Sequence, residues 1–171
     1  SRRRVQIPHG KNGKTTMPRL SRATCKMLGY DPDRLETGLV HLGIGAFHRA
    51  HMADYTDEVL RKGDLRWGIL GARLRSPDTR DALAPQDFLY TLAVRDASGT
   101  RCRVIGSILD VLDANTQRGQ LIETMADPRI RIVSLTVTEK GYCHDPATGA
   151  LDAQHPDIVH DLAHPVSPVS A

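Results

Sequence analysis

The pattern of hydrophobic positions first becomes regular at Leu39. Leu39 to Leu42 is a largely apolar run that ends in two glycines spaced G-x-G, Gly43 and Gly45. A short run of this kind closed by turn residues predicts a buried strand. The period then changes to that of a helix from Ala46 to Leu60. Ala50, Ala53 and Met52 line its inner side, and Tyr55, Val59 and Leu60 extend the stripe. Lys62-Gly63 supplies a basic last turn and a terminating glycine.

A second strand is expected from Arg66 to Leu74, stopped by Arg75-Ser76-Pro77-Asp78. Asp78 to Leu83 reads as one helical turn. Phe88 to Val94 and Arg101 to Leu109 are strand-like, and the turn Asp96-Ala97-Ser98-Gly99 between them predicts a hairpin. Thr116 to Ala126 is a helix with Leu121, Ile122 and Met125 on one face, and Ile130 to Val137 is a β-branched strand. Prolines recur from Asp145 onward, which leaves loop and one helical turn around Pro156 to Leu162. No internal repeat occurs. The order strand-helix-strand, hairpin, helix-strand indicates an α/β fold, with a largely parallel sheet and an antiparallel hairpin. Ligands of such sheets sit beyond the carboxyl ends of the strands. The segments there are Gly43 to Phe47, Arg75 to Asp78 and Thr138 to Tyr142.

Charge divides the chain. The first 30 residues hold eight Lys and Arg and no acid, so residues 31–171 carry 15 basic and 20 acidic side chains. The basic character therefore belongs to an N-terminal arm and lead-in, residues 1–37. It is read as a solvated extension, with a nucleic-acid tail or an organelle transit peptide as alternatives. Aromatic content of 4% offers no stacking platform for bases, so no nucleic-acid partner is assigned. No apolar run is long enough to span a bilayer, so no membrane partner is assigned either. Cys25, Cys102 and Cys143 are odd in number and widely spaced, without C-x-x-C. Free thiols in a reducing compartment, the cytoplasm, account for them.

The glycine turn carries the first chemistry. Gly43 would let the chain turn tightly, and Gly45 would let backbone approach a phosphate closely. The amides from Gly45 to Arg49 would then face a pyrophosphate at a helix N-terminus. His48 stands where the usual third glycine would fall, and an ordinary strand-to-helix turn remains the alternative. Arg49 could pair a phosphate bidentately. His48 and His51 share a helix face, but no third ligand follows, so no metal site is assigned. Asp78 could accept from the adenosine ribose hydroxyls and so select NAD; a helix cap is its alternative role. Arg73, Arg75 and Arg80 nearby could blunt that selection and admit NADP. Thr138-Glu139-Lys140-Gly141 ends the β-branched strand where a nicotinamide would lie. Glu139 and Lys140 could serve proton transfer or substrate orientation, against a solvated ion pair. No G-x-S-x-G occurs, which removes a hydrolase elbow.

Val40-His41-Leu42-Gly43-Ile44-Gly45-Ala46-Phe47-His48-Arg49-Ala50-His51 and Arg131-Ile132-Val133-Ser134-Leu135-Thr136-Val137-Thr138-Glu139-Lys140-Gly141-Tyr142-Cys143 resemble the signatures of the mannitol dehydrogenase family. Trp67-Gly68-Ile69, Leu74-Arg75-Ser76, Gln86 to Leu92 and Arg103 to Ser107 agree with it, and the resemblance runs from about residue 38 to the C-terminus. It implies a Rossmann-like domain over 38–171, truncated at its C-terminus. It also implies metal-independent hydride transfer between NAD and an open-chain polyol or aldonate (mannitol/fructose or mannonate/fructuronate). Gly43, Ile44, Gly45, Phe47, His48 and Arg49 would surround the pyrophosphate. Asp78 would meet the ribose, and Thr138 would lie along the cofactor. Glu139, near the nicotinamide, would be an auxiliary group. The family's catalytic lysine comes from a helical C-terminal domain that this sequence lacks. The resemblance therefore implies no catalytic residue in this segment and makes that domain an expected partner, beside the sugar alcohol or sugar acid. A non-catalytic nucleotide-binding or regulatory module is the alternative.

Overall fold

The computed structural model describes residues 19–74, 78–137 and 143–168. Four strands form the central sheet: β1 (Thr37–Leu42), β2 (Gly68–Arg73), β5 (Ile108–Asp113) and β6 (Ile132–Leu135). Their order is β5-β2-β1-β6, and every pairing is parallel. β3 (Tyr90–Asp96) and β4 (Gly99–Ile105) form a separate antiparallel hairpin. The helices are α1 (Ala46–Ala50), α2 (Met52–Arg61), α3 (Asp78–Leu83), α4 (Arg118–Met125) and α5 (Pro156–Ala163).

A parallel strand inside such a sheet is buried on both faces, and β1 obeys this. Leu39 points into a core with Ile44, Ala53, Ile69, Ile105, Ile108 and Val111. Val40 points the other way, against Ala72, Leu112 and Leu121 of α4. The chain runs β1 to β2 to β5 in one direction, then crosses to the far side of β1 for β6. The strand order thus reverses between β1 and β6, where α/β sheets open a crevice at their carboxyl edge.

The expected helix Ala46–Leu60 is two helices. His51 leaves helical geometry (φ −123°, ψ −81°), and its amide is shared by the carbonyls of Phe47 and His48. The buried face of α2 also differs from the expected stripe. Ala53, Thr56, Asp57 and Leu60 are inside, whereas Tyr55 and Val59 are 67% and 39% exposed. Asp57 takes the core position because it accepts four hydrogen bonds there. Its donors are Tyr30 Oη (2.6 Å), Arg61 Nε (2.7 Å), Arg103 Nη2 (3.0 Å) and the Gly106 amide (3.0 Å).

The strand expected over Arg101–Leu109 is likewise two. β4 ends at Ile105, and the chain turns through Gly106 and Ser107 into β5. A Cβ at Gly106 would stand 2.6 Å from Leu28 Cδ2 and 2.8 Å from Tyr30 Oη, so a side chain there would have to displace one of them. Ser107 Oγ donates to the Ala53 carbonyl (2.7 Å) and fixes the corner to α2. On α4 the buried residue is Leu121, and Ile122 faces outward at 51% exposure.

The lead-in is more than an extension from Arg19 onward. Leu28 is 1% exposed and packs with Leu89 and Val104, flanked by Leu20, Cys25 and Tyr30. Arg22 donates to the carbonyls of Gly106 (3.2 Å) and Ile108 (2.8 Å). Residues 1–18 lie outside the described residues. Among those described, no helix is long and apolar enough to cross a membrane, and the three cysteines are free.

Candidate functional site

β1 ends against β2, with the Gly43 amide donating to the Ala72 carbonyl (2.9 Å). Gly43 then adopts φ +88°, a left-handed geometry that side chains resist. Gly45 caps α1 at φ −82° and ψ −176°, and its carbonyl accepts from the Arg49 amide (3.1 Å). That bond is the first of the helix, so the amides of Ala46, Phe47 and His48 point out of its N-terminal end. A Cβ at Gly43 would meet nothing within 4 Å, and one at Gly45 only the Gly43 carbonyl at 3.9 Å. The face of the turn is bare backbone with space in front of it. Outward amides, a bare surface and the positive end of a helix fit a pyrophosphate.

Around this turn the expected site residues separate into two groups. Phe47 lies on the open side, 67% exposed, its ring tilted against His51. Arg49 Nη1 donates to Thr79 Oγ1 (3.1 Å), which joins α1 to the start of α3. Asp78 opens α3 beside that contact. In contrast, Ile44 is 4% exposed and its side chain covers Gly71, so it faces a ligand only through its backbone. The His48 ring is 2% exposed and turned under α1, which leaves its amide for the ligand. Thr138, Glu139 and Lys140 lie outside the described residues, as does Arg75.

Between α1, α3 and the hairpin runs a groove of about 470 Å³. Ala46, Arg49, Asp78, Thr79, Tyr90 and Leu92 are among its lining residues. A second depression of about 370 Å³ lies beside α4 (Thr37, Gln120, Asp127, Arg129) and does not include the glycine turn. The groove is the one that matches the chemistry, because it reaches Ala46, the first residue of α1, together with Arg49 and Asp78.

Sequence reasoning passed over three features of this region. Beneath the turn, His48 stacks on His41 with ring centroids 3.7 Å apart. His41 Nδ1 lies 2.9 Å from Ser134 Oγ, and Nε2 lies 3.2 Å from Thr136 Oγ1. The imidazole thus ties β1 to the end of β6. Both ring nitrogens of His48 are buried without a hydrogen-bond partner among the described residues. Burial, then the neighbouring His41 and Arg49, push the His48 pKa down to about 3. Burial likewise lowers that of His41. The second feature is Tyr90, whose hydroxyl donates to the Arg49 carbonyl (2.6 Å) and fastens the hairpin to α1. Burial pushes its pKa up, so it stays a donor.

The third feature is the end of β5, where Asp113 pairs with Arg73 of β2. Burial works against the Asp113 charge. The Asn115 amide, the Thr116 hydroxyl and the Arg73 guanidinium outweigh it and hold the carboxyl below the usual carboxylate range. The punctuation Val111-Leu112-Asp113-Ala114-Asn115-Thr116 was the available signal for this strand end.

Comparison with known proteins agrees with this geometry. The model of the mannitol dehydrogenase Rossmann domain matches residues 37–167. Mannitol 2-dehydrogenase of Cereibacter sphaeroides is 50% identical over 145 residues, covering 83% of this chain and 30% of that protein. D-mannonate oxidoreductase of Escherichia coli (strain K12) is 45% identical over 146 residues, covering 83% and 30%. Among solved structures, a ternary complex of Pseudomonas fluorescens mannitol 2-dehydrogenase with NAD and D-mannitol is 44% identical with a TM-score of 0.73. That match covers 90% of this chain and 34% of the other. The chain therefore spans about 30% of the length of the curated relatives it matches. With the parallel sheet, the bare glycine turn and a family match over most of its length, the chain belongs to the mannitol dehydrogenase family and forms its Rossmann domain.

Proposed function

We propose that this chain is the NAD(H)-holding part of an oxidoreductase acting on CH–OH groups of an open-chain polyol or aldonate, of the mannitol/fructose or mannonate/fructuronate type. The observation that carries the reading is the Gly43–Gly45 turn, which delivers three helix-start amides onto a bare surface at the carboxyl edge of a parallel sheet. The identity to relatives named as dehydrogenases or oxidoreductases of these substrates supports the reaction class. NAD(H), when bound, supplies the hydride acceptor or donor.

The chain's own residues bind and orient. The amides of Ala46, Phe47 and His48 face the pyrophosphate, with Gly45 keeping the approach clear. Arg49 adds positive charge, held in place by Thr79 and by the Tyr90 hydroxyl on its carbonyl. Asp78, on the groove wall, accepts from the adenosine ribose. The buried His41–His48 stack keeps the floor of the turn neutral and links it to the end of β6. By the family resemblance Thr138 would serve the cofactor and Glu139 would be an auxiliary group.

Gly45→Ala tests the reading. Gly45 has a φ that any residue adopts and room for a Cβ. The fold therefore loses only about 0.5 kcal/mol at the cap. NADH titrated against both proteins should show affinity falling about tenfold or more in the variant while the melting temperature barely moves. Equal NADH affinity in the two proteins, or none in a folded wild type, would remove the proposal.

A further inference from the structure

At the carboxyl edge of the sheet stands an ion pair that the glycine turn does not use. The register of β2 and β5 sets Arg73 opposite Asp113 at the carboxyl ends of both strands. Arg73 Nη2 donates to Asp113 Oδ2, and the two side chains are only 18% and 7% exposed. Asp113 is held from other directions as well, accepting from the Asn115 amide (3.0 Å) and the Thr116 hydroxyl (3.0 Å). Its own amide donates to Gln117 Oε1 (3.0 Å). The carboxylate is thus a fixed anchor and the guanidinium is its tenant. Arg73 Nε is buried without a partner among the described residues, so the side chain keeps unused donor capacity.

The location gives the pair its meaning. β2 ends at Arg73, and α3 opens at Asp78 against Arg49 and Thr79. The pair therefore lies at the root of the strand end assigned above to the adenosine ribose. A cofactor with a 2′-phosphate brings a charge of about −2 to that end and calls for a free guanidinium. Arg73 is the last residue of β2, and its charge is already neutralised by Asp113.

We infer that Asp113 is a specificity-determining positioning residue, which holds Arg73 back from the adenosine end of the groove and so favours NAD(H) over NADP(H). This rests on the proposed dinucleotide function. It follows that Asp78 does not set the preference alone, since removing it leaves Arg73 bound to Asp113.

The test is a set of dissociation constants for NADH and NADPH with the wild type, Asp113→Asn, Arg73→Gln and the double variant, with thermal melts beside them. Asp113→Asn should shift the NADPH-to-NADH affinity ratio about tenfold or more toward NADPH, the scale of one charge-assisted hydrogen bond. Adding Arg73→Gln should return the ratio, and Arg73→Gln alone should leave it unchanged. An unchanged ratio in folded Asp113→Asn overturns the inference. A gain that survives Arg73→Gln assigns the phosphate to another cation and overturns it too. Should Asp113→Asn fail to fold, Arg73→Gln decides: selective loss of NADPH affinity refutes the inference, and an unchanged ratio supports it. A wild type that binds neither dinucleotide refutes the function itself, and this inference with it.

Discussion

His48 shows how a single residue departs from its apparent role. Its place in the glycine motif suggested contact with a phosphate, yet the ring lies inside. The reason is local. His48 is the third residue of α1, and the inner side of that position falls over His41 of β1, where two flat rings stack. Sequence spacing alone does not tell which way the third residue of a five-residue helix points. The consequence is a dependence of stability on pH. An unfolded histidine has a pKa near 6.5, and in the fold His48 is pushed down to about 3. Above pH 6.5 both states are neutral and the fold has its full stability. As pH falls from 6.5 toward 3, the unfolded chain takes up a proton that the folded one refuses, and stability drops. At pH 5 the loss is about 2 kcal/mol. His48→Phe keeps a flat ring in the slot and removes the titration. Unfolding free energies from urea titrations at pH 7.5 and pH 5 should lie closer together in the variant by that amount. Identical pH dependence in the two proteins would show that His48 is not the group responsible.

The legible elements are those set by local pattern. The β1–glycine–α1 entry, the hairpin turn and the terminating Gly63 (φ +98°) are encoded by neighbours in sequence. The elements that were missed are set by distant contacts. β5 separates from β4 at Gly106, which packs against Leu28, 78 residues earlier in the chain. The face of α2 is chosen by Asp57, which a hydrophobic pattern assigns to solvent. That carboxylate gathers the lead-in through Tyr30, α2 through Arg61, and the hairpin through Arg103 and Gly106. Asp57→Asn would leave the partly buried Arg61 guanidinium without its counter-charge and strip Arg103 of one of its three carboxylates, the others being Asp54 and Glu58. Breaking one partner of such a cluster costs about 3 kcal/mol or more. Chemical denaturation should show a loss of that size. A change under about 1 kcal/mol would mean that the cluster is a solvated surface feature and that the packing of Leu28, Leu89 and Val104 holds the lead-in.

At the scale of the whole molecule, the two edges of the sheet are unequal. The β5 edge adjoins the packed lead-in, with Arg22 bonded to the Ile108 carbonyl. Among the described residues, the β6 edge pairs only with β1, and its apolar side chains are exposed on both faces. Ile132, Val133 and Leu135 are 43%, 47% and 60% exposed. Interior parallel strands are normally covered on both faces, so these residues have the composition of a buried strand in an open position. The strand is only four residues long, but its unpaired edge groups and apolar side chains together offer a template for pairing with another chain. The 171-residue chain is therefore expected to associate as concentration rises. Val133 faces the α4 side, in register with Val40, so a lysine there adds charge to the edge without entering the site. Sedimentation velocity over a concentration series should show Val133→Lys shifted toward monomer, with NADH affinity kept. A wild type that stays monomeric throughout would show that the open strand is harmless, and its exposure would then need another account.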